Sequence, residues 1–183
     1  MRVITGTARG RRLKEPQGMD IRPTTDKVKE SMFSILQFDI EGRRVLDLFG
    51  GTGQLGIEAL SRGASEVVFV DKSAAALKLI RENLELCGLS DRARVRNGDS
   101  LAYLRSGERF DLIFLDPPYD TGLLEQALQD IAGFDICREH GIIMVESPAD
   151  AVLPPLEAPY RLYREYRYGR IKLTVYHRQG NEE

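Results

Sequence analysis

Apolar residues recur along this chain in short blocks separated by longer amphipathic stretches. Val45 to Phe49, Val67 to Val70, Ala93 to Arg96, Leu112 to Leu115 and Ile142 to Val145 are each the length of a strand. Most are apolar at successive positions, as required of strands covered on both faces in a buried parallel sheet. Between the blocks the period lengthens to that of a helix. Leu77, Ile80, Leu84 and Cys87 fall on one helix face, with Gly88 placed to end it. Leu123, Leu124, Ala127, Leu128 and Ile131 form a second stripe. Strands alternating with helices at this spacing predict an α/β fold with a doubly wound, mostly parallel sheet and right-handed crossovers.

Both ends depart from the alternation. Arg161 to Tyr168, a Gly169-Arg170 turn and Ile171 to Arg178 predict an antiparallel hairpin, in which Ile171, Leu173 and Val175 alternate with Lys172, Thr174 and Tyr176. Arg2 to Thr5 and Arg11 to Lys14 flank a loop from Gly6 to Gly10 and predict a short N-terminal hairpin. A helix from about Thr25 to Gln37 follows, with Val28, Met32, Ile35 and Leu36 on one side. Residues 1–40 are therefore read as an extension bordering substrate and cofactor, and residues 41–183 as the main, Rossmann-like domain. An open α/β sheet that finishes in an antiparallel hairpin is similar to the class I S-adenosylmethionine-dependent methyltransferases.

The stretch from Asp47 to Gly56 ends a predicted strand and opens a predicted helix, and Gly51, Gly53 and Gly56 form a GxGxxG there. Glycines at such a turn let backbone approach a ligand at the switch point of the sheet. Asp71 ends the next strand, where a carboxylate suits the ribose hydroxyls of an adenosine. NAD shares this signature. The likeness to class I methyltransferases favours S-adenosyl-L-methionine, because it places Asp47 near the methionine amino group and Asp99 against the adenine amine. Asp99 equally suits a helix N-cap. Phe49, Lys72 and Ser100, beside these acids, complete the expected cofactor contacts.

Asp111 to Leu115 then delivers Asp116, Pro117, Pro118 and Tyr119 to the carboxyl edge of the sheet, where ligands of such folds bind. An exocyclic base amine is a poor nucleophile because its lone pair is delocalised into the ring. Hydrogen bonds from that amine to the Asp116 carboxylate and the Pro117 carbonyl would favour the tetrahedral nitrogen that attacks a sulfonium methyl. The prolines restrict the backbone that aims the carbonyl. Tyr119 can stack on a base that has left its helix. No Pro-Cys nucleophile is present, and Cys87 and Cys137 are expected to be interior residues. His140 and His177 are expected in surface or capping roles.

Composition narrows the class. With 183 residues, 42% hydrophobic and 30% charged, the chain suits one compact domain. No apolar run approaches the roughly 18 residues of a membrane span, so a soluble, cytoplasmic protein is expected. Two cysteines and two histidines favour neither a disulfide framework nor a metal cluster. The net charge of -2 hides basic ends around an acidic centre, a distribution that suits a polyanionic partner and equally suits solvated surface strands. Arg9, Arg11, Arg12, Lys14, Arg167 and Arg170 are the candidate RNA contacts.

The segments Arg9 to Leu13, Arg22 to Glu30, the glycine motif, Asp116 to Tyr119 and Val145 to Ser147 together resemble the RsmD family over nearly the whole chain. Membership implies methylation of a guanine N2 in 16S ribosomal RNA. It also implies cofactor roles for Gly51, Gly53, Gly56 and Asp71, a catalytic role for Asp116, Pro117 and Tyr119, and places for Arg22, Thr24 and Thr25 at the cofactor's border. Thr24 or Thr25 also suits the N-cap of the following helix. The partner implied is 16S rRNA in an assembled or assembling small (30S) subunit, met by a monomer. Two other readings remain at this point: methyl transfer to a different planar nitrogen, such as DNA adenine N6 or a protein amide, and a non-catalytic RNA-binding assembly factor.

Overall fold

The predicted parallel strands are β1 (Arg44–Asp47), β2 (Glu66–Asp71), β3 (Ala93–Asn97), β4 (Phe110–Leu115) and β5 (Cys137–Pro148), in a computed structural model that describes residues 1–18 and 24–181. The hairpin supplies β6 (Tyr160–Tyr168) and β7 (Ile171–Arg178). All seven form one sheet in the order β3-β2-β1-β4-β5-β7-β6. Neighbours from β3 through β5 run parallel, and β7 pairs antiparallel with both β5 and β6. The order reverses between β2-β1 and β4, which is where a doubly wound sheet opens a crevice for ligands.

Helices cover both faces. α1 (Asp26–Ile35), α2 (Gln54–Ser61) and α3 (Ala74–Cys87) pack on one side through Met32, Phe33, Ile57, Leu60, Ile80 and Leu84, against Val45, Phe69, Leu112, Phe114 and Met144. α5 (Leu123–Phe134) covers the other through Ala127, Leu128 and Ile131, against Leu46, Val68, Ile113 and Val145. Successive strand residues thus feed opposite cores, which is why the strands read as continuous apolar blocks. α4 (Ser100–Tyr103) is a single turn with too few residues to show a period. Gly88 ends α3 in the left-handed conformation, as its position predicts.

Three features differ from the sequence expectations. β5 begins at Cys137, earlier than predicted, because Arg138, Glu139 and His140 interrupt the apolar pattern ahead of a register shift between Phe110 and Leu112. In β7 the alternate positions Lys172, Thr174 and Tyr176 are buried along with Leu173 and Val175. The segment after β5 covers that face: Lys172 Nζ donates to the Ala151 carbonyl at 2.6 Å and the Tyr176 hydroxyl to the Pro154 carbonyl at 3.1 Å.

The third difference concerns the N-terminus, where the predicted hairpin is reduced to one antiparallel bridge between Arg2 and Arg12. Backbone hydrogen bonds flank the bridge, from the Val3 amide to the Arg11 carbonyl at 2.9 Å and from the Leu13 amide to the Met1 carbonyl at 3.0 Å, and side chains anchor the segment to the helices. Glu58 of α2 accepts from the Ile4 and Thr5 amides at 2.9 and 3.0 Å, and Lys29 of α1 donates to the Arg2 carbonyl at 2.7 Å. Lys29 and Glu58 are themselves 3.7 Å apart and fully buried. Removing one partner of such a pair costs about 3–5 kcal/mol, because the other is left charged in a dry interior. Val3, Ala8, Leu13, Leu36 and Ile40 join the same core as the sheet, so the described part of residues 1–40 shares the packing of the residues that follow.

Candidate active site

Four strand ends converge on one cleft of about 590 Å³. β1 contributes Asp47 and, beyond it, Phe49 and the turn Gly50-Gly51-Thr52; β2 contributes Asp71 and, beyond it, Lys72; the chain after β3 contributes Asp99 and Ser100; the chain after β4 contributes Asp116, Pro117, Pro118 and Tyr119. Thr24 completes the wall from the segment before α1. Apart from Thr24, these residues are far apart in sequence and meet because each ends a parallel strand or follows one.

The three motif glycines divide the work. Gly51 has φ +54° and lines the cleft. Gly53, at φ +78°, is the left-handed N-cap of α2, and Gly56 is the point where α2 crosses β2. A Cβ on Gly56 would lie 2.2 Å from Phe69 Cε1. Gly53 and Gly56 stand behind the lining residues of the cleft, where they bring the turn and the helix close enough for Gly51 to face a ligand.

The acids differ in their surroundings. Asp47 is 3% exposed and accepts the Gly56 amide at 3.1 Å. Burial pushes its carboxyl up to about 7, the Asp71 charge adds to the rise, and the Gly56 hydrogen bond opposes it. Asp71 accepts from the Gly51 amide at 3.1 Å through one oxygen and from the Ser73 amide at 2.8 Å through the other. Each oxygen keeps a second lone pair for a ligand hydroxyl. Asp99 is exposed at the rim and caps α4, accepting from the Ala102 amide at 2.9 Å. Ser100 is turned inward to donate to the Leu48 carbonyl at 2.7 Å.

Asp116 sits where the carboxyl end of β4 meets Thr24. The Thr24 hydroxyl lies 3.1 Å from Asp116 Oδ2 and 2.9 Å from Glu146 Oε2. Burial, then the nearby Glu146 charge, raises the Asp116 carboxyl well above the usual carboxylate range; the Thr24 hydrogen bond lowers it and Asp47 raises it further. The Tyr119 hydroxyl is 3.5 Å from Glu146 Oε1. The cleft therefore joins a half suited to an adenosine and an amino acid with a half suited to a planar amine.

The expected border residues separate. Thr24 lines the cleft, whereas Thr25 is exposed and caps α1 through the Val28 amide at 3.3 Å. Its side chain supplies the cap that the sequence also suggested. Arg22 lies outside the described residues. Arg9, Arg11, Arg12, Lys14, Arg167 and Arg170 are all exposed. Lys14 is held near the glycine turn by Asn83, whose side chain accepts from the Lys14 amide at 2.7 Å and donates to the Lys14 and Thr52 carbonyls.

Sequence reasoning missed Asn83, Gln54 and Glu146. Asn83 is a buried polar residue on the apolar face of α3, and Glu146 is a buried acid near the end of an apolar strand. Both patterns carry a signal, because an unpaired polar group in such a place is costly. Gln54 lines the cleft with Oε1 buried and unpartnered among the described residues. Together with Asp47 it offers acceptors to a ligand ammonium, which fits the amino-acid part of S-adenosylmethionine. Neither cysteine lines the cleft, and burial pushes the Cys137 thiol up to about 12. No group of acids, cysteines and histidines among the described residues could hold a metal ion.

A family model described as "Conserved hypothetical protein 95" matches residues 1–177, and the Escherichia coli (strain K12) protein named ribosomal RNA small subunit methyltransferase D is 34% identical over 100% of this chain and 92% of its own length. The chain belongs to this family, the RsmD family. The Bacillus subtilis (strain 168) protein YlbH is 39% identical over 98% of this RsmD-family chain and 100% of its own. Among solved structures, the Escherichia coli protein yhhF superposes with a TM-score of 0.88 at 32% identity, covering 98% of each chain. The class I methyltransferase fold expected from the sequence is thus the fold of an RsmD-family protein.

Proposed function

We propose that this RsmD-family protein is an rRNA methyltransferase that uses S-adenosylmethionine to methylate the exocyclic N2 of a guanine in the small-subunit RNA. The observation that carries the reading is the meeting of Asp116, Pro117, Pro118 and Tyr119 with Asp47 and Asp71 in one cleft. Names of relatives such as ribosomal RNA small subunit methyltransferase D support the choice of RNA.

S-adenosylmethionine, when bound, supplies a methyl group made electrophilic by its sulfonium. The protein's part is to place and activate the amine. Asp71 receives the ribose hydroxyls, and Asp47 with Gln54 Oε1 receives the amino group of the methionine portion. Tyr119 stacks on the displaced base, and the Pro117 carbonyl and the Asp116 carboxylate accept the two amine hydrogens. Drawing both hydrogens toward acceptors pyramidalises the nitrogen and frees its lone pair. Asp116 also offsets the positive charge that grows on the nitrogen, and in a site shielded from water that interaction is strong. The carboxylate then takes the proton that the methylated nitrogen releases. No thiol is required.

The basic N-terminal segment would hold RNA phosphates beside this cleft, giving affinity that carries no sequence information. Guanine selection then rests on the particle that presents the base, an assembled or assembling small subunit. Mass spectrometry of nucleosides from 16S RNA, in cells with and without the gene, tests the reading. Loss of N2-methylguanosine in the deletion supports it; an unchanged level refutes it.

A further inference from the structure

β5 ends in a carboxylate that faces the one proposed to act on the base. Glu146 is 5% exposed, and its Oε2 shares the Thr24 hydroxyl with Asp116 Oδ2 at 2.9 and 3.1 Å. Thr24 is anchored from behind, because Gln54 Nε2 donates to its carbonyl at 3.4 Å. A hydroxyl has one hydrogen to give. Whichever carboxylate receives it is favoured in its ionised form, so the two acids compete for one donor. The charge of each also opposes ionisation of the other, as in any close pair of carboxylates.

We propose that Glu146 and Thr24 are positioning residues that jointly set the charge state of Asp116, acting on it in opposite directions. The inference rests on the methyl-transfer reading above, in which Asp116 must be ionised to draw the amine hydrogens. Among the described residues the titratable groups acting on Asp116 are Glu146 from β5 and Asp47 from β1, and Tyr119 of its own loop reaches Glu146. Thr24 supplies the hydrogen bond that favours the carboxylate, and Glu146 supplies the neighbouring negative charge that disfavours it. The direction of the Asp116 shift, raised by burial and Glu146 and lowered by Thr24, agrees with this division.

The consequence is a pair of pH effects with opposite signs. Below the pH at which Asp116 ionises, methyl transfer should fail, giving an acid limb in the pH–rate profile. Glu146→Gln removes the opposing charge but keeps the shape, so the limb should move to lower pH. Thr24→Val removes the donor, so the limb should move to higher pH and the rate near neutrality should fall. Thr24→Ser, which restores the hydroxyl, should return the limb to its wild-type position.

The experiment is a single-turnover methyl-transfer assay on small subunits across a pH series, run for the full-length wild type and the three variants. Binding of S-adenosylhomocysteine, measured for each, reports that the cleft is folded. Carbon NMR titration of the Asp116 carboxyl in the same proteins gives a readout that needs no activity. Opposite displacements for Glu146→Gln and Thr24→Val, with recovery in Thr24→Ser, support the assignment. No displacement, or displacement of both in the same direction, overturns it. If wild type transfers no methyl group at all, the proposed function fails, and the NMR titration still decides whether the pair tunes Asp116.

Discussion

Replacing Asp47 by Asn isolates the cost of a buried acid. The carboxyl is 3% exposed, accepts one backbone hydrogen bond, and is pushed from 3.8 to about 7 in the folded protein. A carboxyl whose folded value is raised contributes stability below its unfolded value and loses it as the pH climbs through the folded one. For Asp47 that window runs from about 4 to about 7. The full loss is on the order of 4 kcal/mol at about 1.36 kcal/mol per unit. Asn carries no charge, so the variant should gain on the wild type as the pH rises. Between about pH 5 and pH 8 the difference in unfolding free energy should grow by about 2.5 kcal/mol in favour of Asp47→Asn. Urea unfolding of the cofactor-free protein at both pH values measures it, and the comparison cancels the other carboxylates. A difference independent of pH would show that Asp47 ionises normally when folded and would refute the argument from burial.

Two other substitutions test the frame and the partner. Gly56→Ala places a Cβ 2.2 Å from Phe69 Cε1 and 2.9 Å from Val67 Cγ1. It should cost about 1–3 kcal/mol by overpacking despite the better helix propensity of Ala, and a denaturation midpoint equal to wild type would contradict the close-packing role. Changing Arg9, Arg11 and Arg12 together to Ala should leave cofactor binding intact and flatten the salt dependence of RNA binding. Each lost phosphate contact reduces the log–log slope by about 0.7–0.9, so an unaltered slope in filter binding would move the RNA surface elsewhere.

The strands and the long helices were legible because each obeys one period. Buried parallel strands such as Val67 to Val70 are apolar throughout, and α3 repeats its apolar face until Gly88 ends it. The residues that escaped notice act through tertiary contact. Nothing local marks Glu58 as the acceptor for the Ile4 and Thr5 amides, or Asn83 as the link from Lys14 to Thr52. The alternation in β7 marked a hairpin strand, but Lys172 and Tyr176 are covered by a segment whose path only the folded chain reveals. In the cleft, the acids at strand ends were visible as chemistry interrupting an apolar run. Division of labour among Gly51, Gly53 and Gly56 was not, since conformation and contact call for the same residue type. Thr24 and Thr25 stood together in the sequence with two roles between them, and geometry assigns one to each.

The central claim is that the Asp116 carboxylate activates the amine, and Asp116→Asn tests it most directly. Asn keeps the shape of the side chain and an oxygen that can accept from Thr24, so the end of β4 and the proline turn should stay in place. The negative charge is lost, and its effect is greatest as positive charge develops on the nitrogen. Such a group is typically worth about 2.7–4 kcal/mol, or roughly a hundredfold to a thousandfold in rate. The measurement is a single-turnover assay on small subunits with radiolabelled S-adenosylmethionine, beside a cofactor-binding titration of the same variant. The account predicts normal cofactor binding with methyl transfer reduced by at least about a hundredfold; transfer at the wild-type rate would contradict it.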